Sequence, residues 1–229
     1  MQLIVLWDVD HTLVDNAGVS KEIYASAFKA LAGRDAELPA PTEGRTDRAI
    51  MRDMFVQHGL QVPGWESAQR ALEEAGRGRE EDLRRRGRVL PGVQEALKVL
   101  AADSEICSSV LTGNIAANAR VKLGAFGLDA LLDMSVGGYG EDSEDRARLV
   151  DSARARVHAA HGLAMTTPTV LIGDTPRDVR AAHAAEARCI AVASGIHSVA
   201  ELRAAGADVV LPDLTDTEGL LARLRAAPA

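Results

Sequence analysis

The sequence predicts an α/β fold, a doubly wound parallel sheet interrupted after its first strand by a helical insertion. Three observations carry this. Apolar runs of strand length recur without the alternation of a half-exposed strand, as in sheets buried on both faces. Helical patterns lie between them, which implies crossover units. One long interval, residues 15–89, breaks that rhythm.

The first run, Leu3-Ile4-Val5-Leu6-Trp7, ends in acidic residues, and comparable runs follow at Ile106–Leu111, Thr169–Ile172, Cys189–Ala193 and Ala207–Leu211. Leu131–Val136 is a weaker candidate strand. Helices are expected around Val93, Leu97 and Leu100, over Ala116–Leu123 with Gly124 as its stop, over Arg146–His161 stopped by Gly162, and over Arg177–Ala187. Within the insertion, Ser20 is expected to cap a helix carrying Ile23, Ala27, Ala30 and Leu31, ended by Gly33. Thr46 is expected to cap a second, with Ile50, Met51, Met54 and Phe55 inward and Gly59 as its stop, and a third starts near Glu66. The reading is a Rossmann-like core over residues 1–14 and 90–229, with a helical insertion over 15–89 between the first strand and Leu90-Pro91-Gly92.

The 229 residues are 47% hydrophobic and 26% charged, enough to bury a full core without disulfide or metal staples. A net charge of −7 argues against nucleic acid or an anionic membrane as partner. Residues 71–88 hold six Arg against five acids, a balance that suits a solvated helix face. Cys107 and Cys189 sit in apolar runs without metal-ligand spacing and read as buried thiols. The start MQLIVLWDVD has no basic region and too short an apolar run for export or spanning, so a cytoplasmic protein is expected. Only four of the 26 basic residues are lysines: Lys21, Lys29, Lys98 and Lys122.

Strand-then-aspartate occurs twice, at Trp7-Asp8-Val9-Asp10 and at Ile172-Gly173-Asp174 with Asp178 following. Doubly wound sheets bind ligands at the carboxyl ends of their strands, so these four acids are expected to converge. Carboxylates gathered that closely need protons or a cation, and hard oxygen ligands suit Mg²⁺. Thr112-Gly113-Asn114, after a strand and before a helix, offers a hydroxyl and backbone amides to a phosphate, although Asn114 also suits a helix N-cap.

Taken together, Asp8-Val9-Asp10-His11-Thr12, Thr112 and Gly173-Asp174-Thr175-Pro176-Arg177-Asp178 resemble, in order, type and spacing, the first, second and fourth motifs of the haloacid dehalogenase superfamily. The resemblance is to its phosphatases, of the phosphoglycolate phosphatase kind, and it implies that residues 15–89 are a helical cap domain that returns to the core at Leu90-Pro91-Gly92. It implies that Asp8 is a nucleophile forming an aspartyl-phosphate and Asp10 the general acid and then base. Mg²⁺ would be held by Asp8, the Asp10 carbonyl and Asp174, with Asp178 auxiliary, while Thr112, Gly113 and Asn114 hold phosphoryl oxygens.

Two positions depart from the pattern. The family's third motif is a lysine, yet none follows Lys122, so Arg146 is expected to serve, with Arg148 in reserve. His11 stands where glycine is commonest; it is given no catalytic role and is expected to pack towards the cap hinge. In the cap, Arg45 of Glu43-Gly44-Arg45-Thr46 is a candidate contact for a substrate carboxylate or second phosphate, against the alternative of an exposed arginine beside a helix cap.

Dehalogenase relatives lack the second aspartate in this role, and phosphonate-cleaving relatives need a cap lysine, for which only Lys21 and Lys29 are available. The function expected is Mg²⁺-dependent hydrolysis of a small-molecule phosphate ester. A phosphomutase and a catalytically silent phosphate-ester-binding protein are the alternatives. Substrate and oligomeric state are not legible in the sequence.

Overall fold

A computed structural model describes residues 2–226. Strand β1 (Leu3–Trp7) is followed by a two-residue strand, β2 (Val14–Asp15), and then by four helices. These are α1 (Val19–Ala32), α2 (Asp47–Gln57), α3 (Trp65–Gly76) and α4 (Glu80–Arg86). The chain returns through β3 (Arg88–Val89), which pairs antiparallel with β2. Thereafter strands and helices alternate: α5 (Val93–Ala102), β4 (Ile106–Thr112), α6 (Ala116–Gly124), β5 (Gly138–Tyr139), α7 (Arg146–His161) and β6 (Thr169–Gly173). The sequence closes with α8 (Pro176–Ala184), β7 (Arg188–Val192), α9 (Val199–Ala204), β8 (Val209–Leu211) and α10 (Thr217–Arg225).

The six long-sheet strands are all parallel, in the order β5-β4-β1-β6-β7-β8. Strand side chains alternate between faces, and each face has its own core. Val5 and Trp7 pack with Val93, Leu97 and Leu100 of α5 and Leu220 of α10. Ile4 and Leu6 pack with Leu149, Val150 and Val157 of α7 and Val179 of α8. Helices on both faces explain why the strands read as unbroken apolar runs, and the expected doubly wound parallel sheet is what the chain forms. Because β1 lies between β4 and β6, the three carboxyl ends that carry Asp8, Thr112 and Asp174 are neighbours.

The helices after β2 have a separate core, in which Ile23, Phe28, Ile50, Met54, Phe55 and Leu72 are buried. The Phe28 and Phe55 rings lie 4.8 Å apart at a tilt, a favourable aromatic geometry. Thr46 caps α2, its hydroxyl accepting from the Ala49 amide, and Gly33 ends α1 in the left-handed conformation. Ser20 is not a cap. Helix α1 starts at Val19 behind Gly18, and the side chain of Asn16 accepts from the Gly18 and Ser20 amides instead. The Arg-rich stretch before β3 is a half-solvated network in which Glu22 meets Arg79 and Arg86, and Asp82 meets Arg79 and Arg85.

Three further differences have physical causes. The expected strand over Leu131–Val136 is absent: Asp129–Leu131 forms a 3-10 turn, and pairing resumes only at Gly138. A Cβ at Gly138 would collide with the Leu149 carbonyl, so the edge strand forms where a glycine lets α7 press against it. The β2–β3 ribbon is too short to leave a period-two pattern. Helix α9 lies against the edge strand β8 and α10 beside α5 on the sheet face, and neither was expected. Among the described residues Cys107 and Cys189 are buried and free, and no helix is long and apolar enough to cross a membrane.

Candidate active site

Asp8 stands at the end of β1, where its backbone amide still donates to the Ile172 carbonyl of β6 at 2.8 Å. That bond places the next residues of both strands side by side, and Asp174 leaves β6 beside Asp8. Thr12, four residues past Asp8 in the tight turn, bridges the two acids. Its hydroxyl lies 3.4 Å from Asp8 Oδ2 and 3.3 Å from Asp174 Oδ1. Asp178 reaches the same place from the first turn of α8, where it forms a reciprocal cap with Thr175. One carboxylate oxygen from each of Asp8, Asp174 and Asp178 lies within 4.8 Å of the others, and all three residues are buried.

One cation faces this trio. Arg146, the first residue of α7 and only 8% exposed, sends Nη2 to Asp8 Oδ1 at 2.6 Å and Nε to Asp178 Oδ1 at 2.8 Å. Arg148, on the same helix, is exposed. Three carboxylates against one guanidinium leave the cluster short of positive charge. Burial, reinforced by Asp178 and Asp10 and opposed by Arg146, pushes the Asp8 carboxyl up to about 7. Burial and the neighbouring Asp8 and Asp178 raise Asp174 well above the usual carboxylate range. Asp174 Oδ2 accepts no hydrogen bond from the described residues and faces Gly195, where a Cβ would collide with it. A bare backbone and an unbonded carboxylate oxygen beside two further acids fit a small hard cation, with Asp8 and Asp174 as direct donors. Both oxygens of Asp178 are already engaged, by Arg146 and Thr175, so it acts behind them.

The carboxylate of Asp10 is not part of the acidic trio. It turns towards β4 and α6, accepting from Asn16 Nδ2 at 2.7 Å, Asn114 Nδ2 at 2.8 Å and Lys122 Nζ at 2.6 Å. Burial would raise its pKa, but Lys122 foremost and then the two amides hold it below the usual value. Of the Asp10 atoms only the backbone carbonyl remains as a candidate metal donor. Lys122 was noted in the sequence only as one of four lysines, and Asn16 not at all. Both partners lie far along the chain or in a turn without a motif, so no spacing signal announced them.

Thr112 is fully buried at the end of β4, and its Oγ1 accepts from both the amide and the side chain of Asn114. With its acceptor sites filled, the hydroxyl proton is free to donate into the cavity. Asn114 is neither a helix cap nor turned towards the trio; it ties Thr112, Asp10 and Lys122 together. Gly113 has a different reason to be glycine. A Cβ there would run into the Arg45 carbonyl, and the Gly113 carbonyl accepts from the Asp47 amide at 2.6 Å.

These groups line a cavity of about 210 Å³ closed on the other side by Lys21, Tyr24 and Thr42 to Arg45 of the helical insertion. Asp47 fastens that side: it accepts from the Tyr24 hydroxyl at 2.5 Å and from the Ile115 amide at 2.8 Å. Arg45 lines the cavity, but its guanidinium pairs with Asp53. His11 does not pack towards the hinge as expected. It takes a left-handed conformation (φ 63°), explaining why glycine suits the position, and is exposed on the cavity wall, with its carbonyl accepting from Ser194 Oγ at 2.6 Å.

A curated relative, "Probable phosphatase IndB" of Dickeya dadantii (strain 3937), is 26% identical over 232 residues, covering 96% of this chain and 93% of the relative. The crystal structure of a hydrolase from Pseudomonas syringae superposes with a TM-score of 0.65 at 22% identity, covering 98% of this chain and all of the other. A haloacid dehalogenase-like family hydrolase from Streptococcus pneumoniae gives 0.62 at 17% identity, over 98% and 99% of the two chains. At such identities these structures establish the fold alone. The family model of haloacid dehalogenase-like hydrolases matches residues 5–192, from within β1 to the end of β7, and the chain belongs to that family.

Proposed function

We propose that the protein is a Mg²⁺-dependent phosphatase of small phosphomonoesters, acting in the cytoplasm through an aspartyl-phosphate on Asp8. The observation that carries this reading is the buried trio of Asp8, Asp174 and Asp178 facing Arg146 at the strand ends, in one cavity with Thr112 and a second aspartate, Asp10. The description of the Dickeya relative as a phosphatase supports it. Asp8 and Asp174, with the Asp10 carbonyl, would hold Mg²⁺, which when bound neutralises charge that develops on the phosphoryl group.

In the first step, which Asp10 enters protonated, an oxygen of Asp8 attacks phosphorus, the ester P–O bond breaks, and the leaving oxygen takes the Asp10 proton. In the second, water attacks the phosphoryl group, gives its proton to Asp10, and the bond to Asp8 breaks to release inorganic phosphate. Splitting one displacement into two is the gain of covalent catalysis. Arg146 opposes the burial that favours the protonated, non-nucleophilic form of Asp8. The Thr112 hydroxyl donates to a phosphoryl oxygen. Residues 15–89 serve as the cap, and a cavity of about 210 Å³ suits a phosphate on a small organic group rather than a polymer.

The test is hydrolysis of 4-nitrophenyl phosphate with Mg²⁺ and with excess chelator. Turnover that Mg²⁺ restores after chelation supports the reading. Turnover indifferent to chelator removes the metal, and binding of phosphate esters without turnover replaces the enzyme by a sensor.

A further inference from the structure

Resting on the phosphatase reading, we propose that Lys122, seconded by Asn16, is a positioning residue for Asp10, holding its carboxylate at the leaving oxygen of the substrate.

Lys122 is 1% exposed, on the inner face of α6 beside Ala119 and Leu123. Burying an ammonium costs several kcal/mol unless it is paired and fully hydrogen-bonded. The charge of Lys122 is therefore accounted for by the groups that surround its head. Its Nζ has two partners, Asp10 Oδ2 at 2.6 Å and Asn114 Oδ1 at 2.5 Å. Asn114 in turn donates to the same Asp10 oxygen, so lysine, amide and carboxylate form a closed triangle. The other oxygen, Oδ1, is held by Asn16, whose own carbonyl oxygen is anchored by the Gly18 amide at 3.0 Å.

The two buried cations of the site thus have separate duties. Arg146 pairs with Asp8 and Asp178; the carboxylate that Lys122 pairs with is Asp10. A carboxylate with an ammonium and two amides fixed around it has one orientation rather than several. Proton transfer in the transition state depends on that orientation. Without the lysine, the amides of Asn16 and Asn114 remain, but no cation balances the Asp10 carboxylate beside a cluster already rich in acid.

A positioning role makes a kinetic prediction that a structural one does not. Protonation of the leaving oxygen matters for an alkoxide and hardly at all for 4-nitrophenolate, which departs unaided. Lys122→Met should therefore slow phosphoryl transfer from a simple alkyl phosphate by at least ~10-fold, within the ~10²–10⁴ typical of acid–base assistance. The burst of 4-nitrophenolate from 4-nitrophenyl phosphate should keep its amplitude and change its rate less than about threefold. Slower steady-state release should follow the burst, because Asp10 also activates the water. Lys122→Arg, which keeps the charge, should recover part of the alkyl-phosphate rate. Equal losses in the phosphoryl-transfer step on both esters in a folded Lys122→Met protein, or no loss on either, would overturn the proposal. Should Lys122→Met not fold, Asn16→Ala takes its place: a selective loss on the alkyl ester supports the role, and an equal loss or none overturns it. Failure of the phosphatase reading itself looks different, because the unaltered protein would then hydrolyse neither ester.

Discussion

Arg146 bonds Asp8 and Asp178 together, so its removal leaves two buried carboxylates without their cation. Arg146→Ala should lower kcat/KM for any phosphomonoester at least ~10-fold, the equivalent of about 1.4 kcal/mol. Arg148→Ala, altering an exposed side chain, should leave it nearly unchanged; steady-state kinetics on the two variants decide. The same change should move the acidic limb of the kcat/KM–pH profile upward, because the guanidinium now opposes the burial that raises Asp8. The sequence showed where to look for Arg146, because the lysines end at position 122 and α7 opens with an arginine behind an acidic turn. It did not show Lys122, whose place in a helical stretch reads as a polar outward position. Its partner Asp10 is 112 positions away, and only the folding of α6 back onto β4 brings the two together.

At the scale of elements, the contact between the insertion and the sheet rests on a few backbone approaches. The Arg45 carbonyl lies against Gly113, and the Asp47 amide bonds the Gly113 carbonyl while its carboxylate takes the Ile115 amide. Gly113→Ala puts a methyl group against a main-chain oxygen that no rotamer change can move. The cost expected is about 1–3 kcal/mol, as for other overpacked sites. Thermal unfolding should show a lower midpoint, and kcat/KM should fall because Thr112 and the 42–45 loop are displaced together. An unchanged midpoint would mean that the insertion swings freely over the site. Element ends with a local cause were legible: the hydroxyl of Thr46 at α2, and the glycines closing α1 and α7. Gly162 sits at φ 69°, where a side chain is strained, so its place in the sequence marks the end of α7. The edge strand β5 was not legible, since its pairing depends on how closely α7 approaches rather than on its own residues.

For the whole molecule, the strand order sets the site. Three strand ends become neighbours only because β1 lies between β4 and β6, a consequence of doubly wound topology that alternating runs and helices already implied. The topology concentrates negative charge in the interior of a chain that carries −7 overall. Asp8 and Asp174 have folded pKa values raised above those of the unfolded chain. The folded form therefore binds more protons, and the contribution of Asp8 to stability is present at low pH and lost as pH rises through about 7. A divalent cation takes the place of those protons, so Mg²⁺ should raise the thermal midpoint more at pH 8 than at pH 5. Asp174→Asn should reduce that difference. Equal Mg²⁺ stabilisation at both pH values, measured by calorimetry, would mean the ion binds elsewhere.

The account stands on Asp8 as the residue that carries the phosphoryl group. The most direct measurement uses Asp10→Asn, which lacks the base for the second step, mixed with 4-nitrophenyl phosphate and Mg²⁺, quenched in acid and mapped by peptide mass spectrometry. One phosphoryl group on the peptide containing Asp8, absent when Asp8 is also changed to Asn, is the result predicted. A phosphoryl group on another residue, or release of 4-nitrophenolate by the Asp8→Asn protein at the unaltered rate, would contradict it.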